Sequence, residues 1–197
     1  TGDLTSKGLP EEYAVLRSNL ALLDQPYFIV PGNHDNRRNL RAAFSDIQYL
    51  RKCEDFIQYT VEEYPVRLVA LDTVSPGNHS GTLCKHRLEW LDGTLAAQTQ
   101  KPTLLFMHHP PFSSGSTHMD EMKLMNPEGL AGVLKKYDHI IMILCGHLHR
   151  PVQTIWENIH TLAASSIAKQ FLLELSPNET PSLNQESQSM YLHLLTL

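Results

Sequence analysis

The segment FIVPGNHDN, residues 28–36, joins an apolar run to a polar one without any transition. Its first three residues read as a buried strand, and a proline and a glycine then end the run. Asn33, His34 and Asp35 follow side by side. A hydrophobic core has no use for three such neighbours, whereas a site that holds a cation and moves a proton does. The segment therefore predicts a strand that delivers polar side chains to a functional site.

Two other apolar runs end in the same way. TLLFM, residues 103–107, leads directly into His108 and His109, and IIMILC, residues 140–145, leads into GHLH at 146–149. In an open α/β sheet, ligands bind beyond the carboxyl ends of the strands. We therefore expect three separate polar clusters to converge on one place.

Helix-like and strand-like segments alternate along the chain, which indicates an α/β fold with at least partly parallel sheets. Helices are predicted at residues 9–23, where Pro10 takes the first helical position, and at 84–98 and 127–137. Strands are predicted at residues 26–30, 56–64, 66–72, 103–107, 140–145, 152–156 and 159–164, and, after a polar loop at 176–189, at 190–195.

The composition narrows the class of protein. A chain of 197 residues with 42% hydrophobic residues can form one globular domain with a substantial core. No apolar run approaches the ~18–20 residues that span a bilayer, so no membrane contact is predicted. The net charge of −5 argues against a nucleic-acid polymer as partner. The odd number of cysteines, at positions 53, 84 and 145, predicts reduced thiols and a cytoplasmic location.

The polar residues at the strand ends suit metal ions. Imidazole nitrogen binds Zn, Fe, Mn or Co, while carboxylate and amide oxygens suit harder ions. His147 and His149, one residue apart on a turn, can reach two ions, and a carboxylate such as Asp3 can bridge them. Two-metal sites with ions ~3.5–4 Å apart hold the attacking and leaving oxygens of a phosphoryl displacement.

Four ordered motifs together resemble the calcineurin-like metallophosphoesterase superfamily: GD at 2–3, GNHD at 32–35, HHPP at 108–111 and GHLH at 146–149. The opening GDLTSKGLPEEY, residues 2–13, is similar to the branch of bacterial cyclic-nucleotide phosphodiesterases and glycerophosphodiesterases. It differs from protein serine/threonine phosphatases, which carry GDxVDRG at this place. The resemblance implies an αββα sandwich, with two mixed β-sheets flanked by helices.

The resemblance also implies roles for single residues. His34 would protonate the leaving alkoxide and contact the phosphate, while a metal-activated hydroxide would be the nucleophile. Asp35 would either take part in catalysis or order its loop, and Asn33 would contact the substrate. Independently of the resemblance, His118 is a candidate for substrate contact because it lies in the loop at residues 113–126, which could cover the substrate. The implied metal ligands are Asp3 as the bridge, Asn33, His108 and His147 on one ion, and His149 on the other.

One motif of the family, an Asp-x-His on its first strand, is absent from residues 1–197. That pair supplies ligands of the second ion in the family. We therefore expect residues 1–197 to be a single domain that is incomplete at its N-terminus, with a C-terminal loop and edge strand over 176–197.

The resemblance implies a phosphodiesterase with two divalent ions, Mn, Fe, Zn or Co, acting on a small diester such as 3',5'-cyclic AMP or a glycerophosphodiester. Two alternatives stay open: a phosphomonoesterase or nucleotide hydrolase with the same site, and a non-catalytic scaffold of the same fold. The intact set of histidines and Asn33 favours an enzyme. Substrate choice is expected in the loops at residues 75–83 and 113–126. A homo-oligomer is also left open.

Overall fold

The computed structural model describes residues 1–173, 182–184 and 186–195. The helices are α1 (Pro10–Leu20), α2 (Arg37–Ala43), α3 (Lys85–Ala96), α4 (Thr117–Asp120) and α5 (Pro127–Leu134), with a 3₁₀ helix at Gln48–Arg51. The strands are β1 (Tyr59–Val61), β2 (Arg67–Leu71), β3 (Thr103–Met107), β4 (Ile140–Cys145), β5 (Val152–Trp156), β6 (Ile159–Ala163), β7 (Gln170–Phe171) and β8 (Leu183–Asn184).

Six strands form one mixed sheet in the order β1-β2-β3-β4-β6-β5. The four inner strands are parallel, and β1 and β5 close the two edges in antiparallel pairing. The predicted α/β class is confirmed. Where the resemblance implied two mixed sheets, the described residues contain this one and a separate antiparallel pair, β7 and β8.

Both faces of the sheet are covered, so that all five residues of β3 are buried and four of them are apolar. Leu104 and Phe106 lie in a hydrophobic cluster with Tyr13 of α1. Leu105 lies in a second cluster with Leu91 of α3. Successive strand residues face opposite sides, so this alternation places the two helices on opposite faces.

The prediction of a strand at residues 26–30 is wrong, because the segment has no assigned strand. Its carbonyl groups bond to side chains instead of to a neighbouring strand. The hydroxyl of Tyr49 donates to the carbonyl of Tyr27 (2.9 Å), and the hydroxyl of Tyr59 donates to that of Ile29 (2.7 Å). Two tyrosines therefore fix the course of the segment that leads into the GNHD loop.

The C-terminal predictions have mixed outcomes. Residues 190–195, predicted as a strand, have no regular secondary structure. Of the predicted loop at 176–189, residues 176–181 and 185 lie outside the described residues, as do residues 196–197 of the predicted C-terminal unit. Within that predicted loop, Leu183 pairs with Phe171.

The expected convergence of strand ends is confirmed for β3 and β4. These strands are parallel neighbours, with Phe106 opposite Leu144, so their carboxyl ends lie side by side at the same end of the sheet. Just beyond that end the backbone N–H of Gly146 donates to the carbonyl of His108 (3.0 Å). The HHPP and GHLH motifs therefore begin in direct contact.

Candidate metal centre

His108, the residue after β3, lies at the middle of the candidate site and is almost fully buried. Its Nδ1 donates to the carbonyl of Thr1 (2.8 Å), so that Nε2 of the neutral ring carries a lone pair. Oδ1 of Asn33 lies 3.0 Å from this Nε2. Oδ2 of Asp3 and Nδ1 of His147 each lie 3.2 Å from it. Four segments of the chain thus meet at one ring nitrogen.

Oδ1 of Asn33, Oδ2 of Asp3 and Nε2 of the neutral His108 ring each present a lone pair, and such atoms repel one another unless a proton or a cation lies between them. The separations of 3.0–3.2 Å from Nε2 of His108 fit the edges of a coordination polyhedron, since metal–ligand bonds of ~2.0–2.2 Å give edges of roughly 2.8–3.6 Å. A carboxylate, an amide oxygen and two imidazoles suit a divalent transition metal. The residues present therefore fit a metal ion.

Asp3 is held on both of its carboxylate oxygens. Oδ1 accepts a hydrogen bond from the backbone N–H of His34 (2.9 Å), while Oδ2 faces His108. Burial acts to raise the pKa of Asp3, but its contacts with His108 and the hydrogen bond from the backbone N–H of His34 outweigh this, and the pKa lies well below its usual range. Asp3 therefore remains a carboxylate throughout the physiological range.

The GHLH turn supplies two histidines, both with left-handed backbone (φ 69° at His147 and 52° at His149). Burial, followed by the neighbouring His108, lowers the pKa of His147 to about 3, so the ring is neutral and able to bind a cation. Its Nε2 is buried and has no hydrogen-bond partner among the described residues.

His149 is anchored separately, because its Nδ1 donates to the carbonyl of Lys169 (2.8 Å) and leaves the Nε2 lone pair available. Burial is the largest influence on its pKa, which is lowered. The charges of Asp3, His108 and His34 also influence this pKa.

His109 belongs to the same buried cluster, since ligand atoms of His108, His109 and His147 all lie within 4.8 Å of one another. Both of its ring nitrogens are already occupied. Nδ1 pairs with the Thr73 hydroxyl (2.8 Å), and Nε2 donates to the carbonyl of His79 (3.0 Å). Burial also lowers its pKa well below the ordinary value. The geometry therefore favours His108 as the ligand of this pair and His109 as a packed neighbour.

His34 is placed beside the group with an exposed side chain. Its Nδ1 donates to the carbonyl of Ser6 (2.9 Å), and its backbone N–H holds Asp3. Nε2 makes no hydrogen bond among the described residues. This arrangement suits a residue that exchanges a proton with substrate better than it suits a buried ligand.

Both carboxylate oxygens of Asp35 accept hydrogen bonds from the surrounding loops and from α1. One oxygen accepts from the backbone N–H groups of Leu4 and Gly32 (both 2.9 Å). The other accepts from the hydroxyls of Tyr13 (2.9 Å) and Thr5 (3.1 Å). Burial raises the pKa of Asp35. The geometry supports the loop-ordering alternative for Asp35 and gives no support to the catalytic one.

Two further histidines differ in their relation to the cluster, because among the described residues a hydrogen bond joins His79 to it and none joins His118. His118 is exposed on α4, and within the described part of the chain no hydrogen bond joins it to the cluster. His79 was not singled out, yet its Nδ1 lies 3.3 Å from Nδ2 of Asn33 and its ring centroid lies 6.0 Å from that of His34. The only signal for it in the sequence is its position in the loop at 75–83 where specificity is expected.

The sequence profile of the calcineurin-like phosphoesterase family matches residues 1–151, which include the GD, GNHD, HHPP and GHLH motifs. This chain belongs to the calcineurin-like phosphoesterase family. Among solved structures, a dimetal phosphatase from Danio rerio aligns with a TM-score of 0.64 at 16% identity, over 79% of this chain and 65% of that one. That likeness supports the family fold.

Curated relatives within the family are phosphodiesterases by name. A probable glycerophosphodiester phosphodiesterase, GpdQ, of Arcobacter nitrofigilis is 36% identical over 197 residues, which is 100% of this chain and 72% of the relative. The 3',5'-cyclic adenosine monophosphate phosphodiesterase CpdA of Escherichia coli K12 is 32% identical over 171 residues, which is 87% of this chain and 60% of the relative. In the described part of the chain, no helix combines the length and the apolar character needed to cross a bilayer.

Proposed function

We propose that this chain carries the catalytic centre of a metal-dependent phosphodiesterase that hydrolyses a small phosphodiester, either 3',5'-cyclic AMP or a glycerophosphodiester. The observation that carries the proposal is the meeting of Asp3, Asn33 and His147 around Nε2 of His108. The names of the relatives supply the substrate class. The preference for diesters over monoesters rests on those names alone.

Two divalent ions, from among Mn, Fe, Zn and Co, are part of the proposal. When bound, such ions polarise a phosphoryl oxygen and activate water. The residues that would hold the first ion are Asp3, Asn33, His108 and His147, and His149 would hold the second together with Asp3.

His34 would supply the proton for the leaving oxygen. Because its Nδ1 proton is committed to the carbonyl of Ser6, a protonated ring can release only the proton on Nε2. The ring that remains is neutral, with its Nδ1–H still bonded to Ser6. The Ser6 carbonyl therefore determines that Nε2 is the nitrogen that gives up the proton, and that the neutral ring keeps its hydrogen on Nδ1.

Turnover of the Mn²⁺-supplemented chain would test the proposal. We expect hydrolysis of bis(4-nitrophenyl) phosphate, of cyclic AMP or of a glycerophosphodiester, and slower hydrolysis of 4-nitrophenyl phosphate. His147→Ala should abolish turnover and reduce bound metal, measured by elemental analysis. Metal-dependent turnover that survives in His147→Ala would defeat the proposed site, and preference for the monoester would favour the phosphomonoesterase alternative.

His34→Ala tests the proton-donor role. The variant should keep its metal, because His34 offers no atom to the His108 group other than its backbone N–H. Loss of a general acid costs ~10²–10⁴-fold in rate, and most where the leaving group is a poor one. We expect a large loss with cyclic AMP, which releases an alkoxide, and a small one with bis(4-nitrophenyl) phosphate. Loss of bound metal in this variant would contradict the assignment.

A further inference from the structure

His79 reaches the candidate site from the loop between β2 and α3. Nδ1 of its ring lies 3.3 Å from Nδ2 of Asn33, and its ring centroid lies 6.0 Å from that of His34, with 54° between the planes. The side chain is exposed, so its contact with Asn33 is not a consequence of core packing. His79 and His34 are thus two exposed rings close to each other beside Asn33.

The loop that carries His79 is held firmly in place. Nε2 of buried His109 donates to the carbonyl of His79 (3.0 Å). Two residues on, a side chain at Gly81 would meet the His109 ring at 2.5 Å, so glycine is needed for this close approach. Gly81 also bonds through its N–H to Lys123 (3.2 Å) and through its carbonyl to Met125 (2.9 Å). The backbone around residue 79 is therefore held by His109 and by the neighbouring loop at residues 123–125.

The hydrogen bond to Asn33 determines which nitrogen of His79 carries the proton. The Asn33 amide nitrogen can only donate, because its Oδ1 is the atom that faces His108. Nδ1 of His79 must then accept, and the neutral ring bears its hydrogen on Nε2. Nε2 has no partner among the described residues. It is a free N–H donor on a ring whose centroid lies 6.0 Å from that of His34, the proposed proton donor.

We propose that His79 is a phosphate-binding residue, whose Nε2–H donates to a phosphoryl oxygen while Nδ1 fixes the Asn33 amide. This inference rests on the proposed function and deepens it. His34 and His79 have opposite tautomers: the neutral ring of His34 has its hydrogen on Nδ1, and that of His79 has it on Nε2. The two rings are therefore not interchangeable. His79 supplies a standing hydrogen bond, whereas His34 is suited to proton transfer.

Matched substitutions separate the two nitrogens of His79. In His79→Asn the side-chain oxygen can replace Nδ1 toward Asn33, but nothing reaches the position of Nε2. In His79→Gln the longer amide places an N–H near the Nε2 position and loses the Nδ1 acceptor. His79→Ala lacks both groups. His86→Asn changes an exposed histidine on α3 and serves as the control.

Inorganic phosphate is the probe, and its affinity for the Mn²⁺-loaded chain is measured by titration calorimetry. A hydrogen bond to a charged group implies a loss of about 10-fold or more in His79→Asn and His79→Ala. The phosphate affinity of His79→Gln should stay within about threefold of the wild-type value, and that of His86→Asn should equal the wild-type value. Phosphate affinity in His79→Asn equal to that of the wild type, or absence of phosphate binding by the wild type, would overturn the proposal.

The tautomer has its own readout that needs no metal and no turnover. Two-bond ¹H–¹⁵N spectra of the metal-free chain should show the His79 hydrogen on Nε2, with the signals assigned by their loss in His79→Asn. A hydrogen on Nδ1 would overturn the inference. The two proposals also fail separately. If the wild type hydrolyses diesters and His79→Asn binds phosphate as tightly as the wild type, only the role of His79 is wrong. If phosphate binding depends on His79 but the wild type hydrolyses no diester, only the proposed function is wrong.

Discussion

At Gly32 the GNHD loop passes so close to Asp3 that an added methyl group would overlap the carboxylate and the backbone nitrogen of Asp3. Gly32→Ala should therefore lower the free energy of unfolding by about 1–3 kcal/mol, the usual cost of overpacking. Gly93→Ala is the matched control. A Cβ at Gly93, in α3, would meet no atom within 4 Å. Because alanine favours a helix more than glycine does, Gly93→Ala should raise the free energy of unfolding by about 0.5–1 kcal/mol. Urea unfolding of the metal-free chain measures both, and equal effects would contradict the close approach at Gly32.

Asp35→Ala separates a structural role from a catalytic one. The substitution removes the acceptor for the N–H groups of Leu4 and Gly32 and for two hydroxyls, so we expect a loss of about 2–4 kcal/mol in stability. Metal affinity should fall as well, because Leu4 follows Asp3 and Gly32 precedes Asn33. Asp24 is exposed, so the control Asp24→Ala should change neither the stability nor the metal affinity. Lost turnover with stability and metal binding intact would restore the catalytic role of Asp35.

The grouping of the candidate ligands was predictable from the sequence, and their hydrogen-bond partners were not. His108 and His147 come together because β3 and β4, the strands that lead into their motifs, are adjacent and parallel, and both strands are marked in the sequence by apolar runs. His79 approaches Asn33 only because an irregular loop is held from several sides. No periodicity in a sequence reports the course of such a loop.

Among the elements, β4 begins next to an unusual histidine. Both ring nitrogens of His139 are buried and have no hydrogen-bond partner within the described residues. Burial lowers the pKa of His139. Below the unfolded value of about 6.5, the unfolded chain therefore binds more protons at this residue than the folded chain does, and stability falls as the pH decreases toward the folded pKa.

Replacing His139 by phenylalanine should remove this penalty. We expect His139→Phe to be as stable as the wild type at pH 7.5, or more stable by up to ~1 kcal/mol, because no buried polar atom is left unpaired. The advantage should grow between pH 7 and pH 5. His86→Phe, at an exposed position of α3, is the control for introducing a phenylalanine. Urea unfolding of the metal-free chain across this pH range is the measurement, and an advantage that shrinks toward pH 5 would contradict the sign of the pKa shift.

Strands inside the sheet were easier to predict than the segments around it. The runs that form β2, β3 and β4 are apolar because the sheet is covered on both faces, and this pattern alone marks them. Residues 26–30 are equally apolar, and Ile29 and Val30 are buried, but tyrosine hydroxyls take the place of a neighbouring strand. Burial was thus predicted correctly there, and hydrogen bonding was not.

For the molecule as a whole, the candidate metal centre joins residues 3, 33, 108 and 147, and so ties the first residues to the two central strands. An ion that binds only the folded chain stabilises it by about 2.7 kcal/mol at 100 times its dissociation constant. Mn²⁺ should therefore raise the melting temperature, measured by calorimetry, and a chelator should reverse the rise. His147→Ala should abolish it. An undiminished rise in His147→Ala would show that the stabilising ion binds elsewhere.

The main-chain carbonyls of Thr1, Ser6 and Lys169 orient the rings of His108, His34 and His149. Every amino acid has a carbonyl, so a substitution scan should find these three positions tolerant, although the rings depend on them. A change in chain length has a larger effect. One inserted or deleted residue moves a carbonyl by about 3.8 Å, and a shift of that size breaks its hydrogen bond to the histidine ring. The site is therefore far more sensitive to insertions and deletions in these segments than to substitutions, and tolerance of substitution would be a misleading guide to which positions matter.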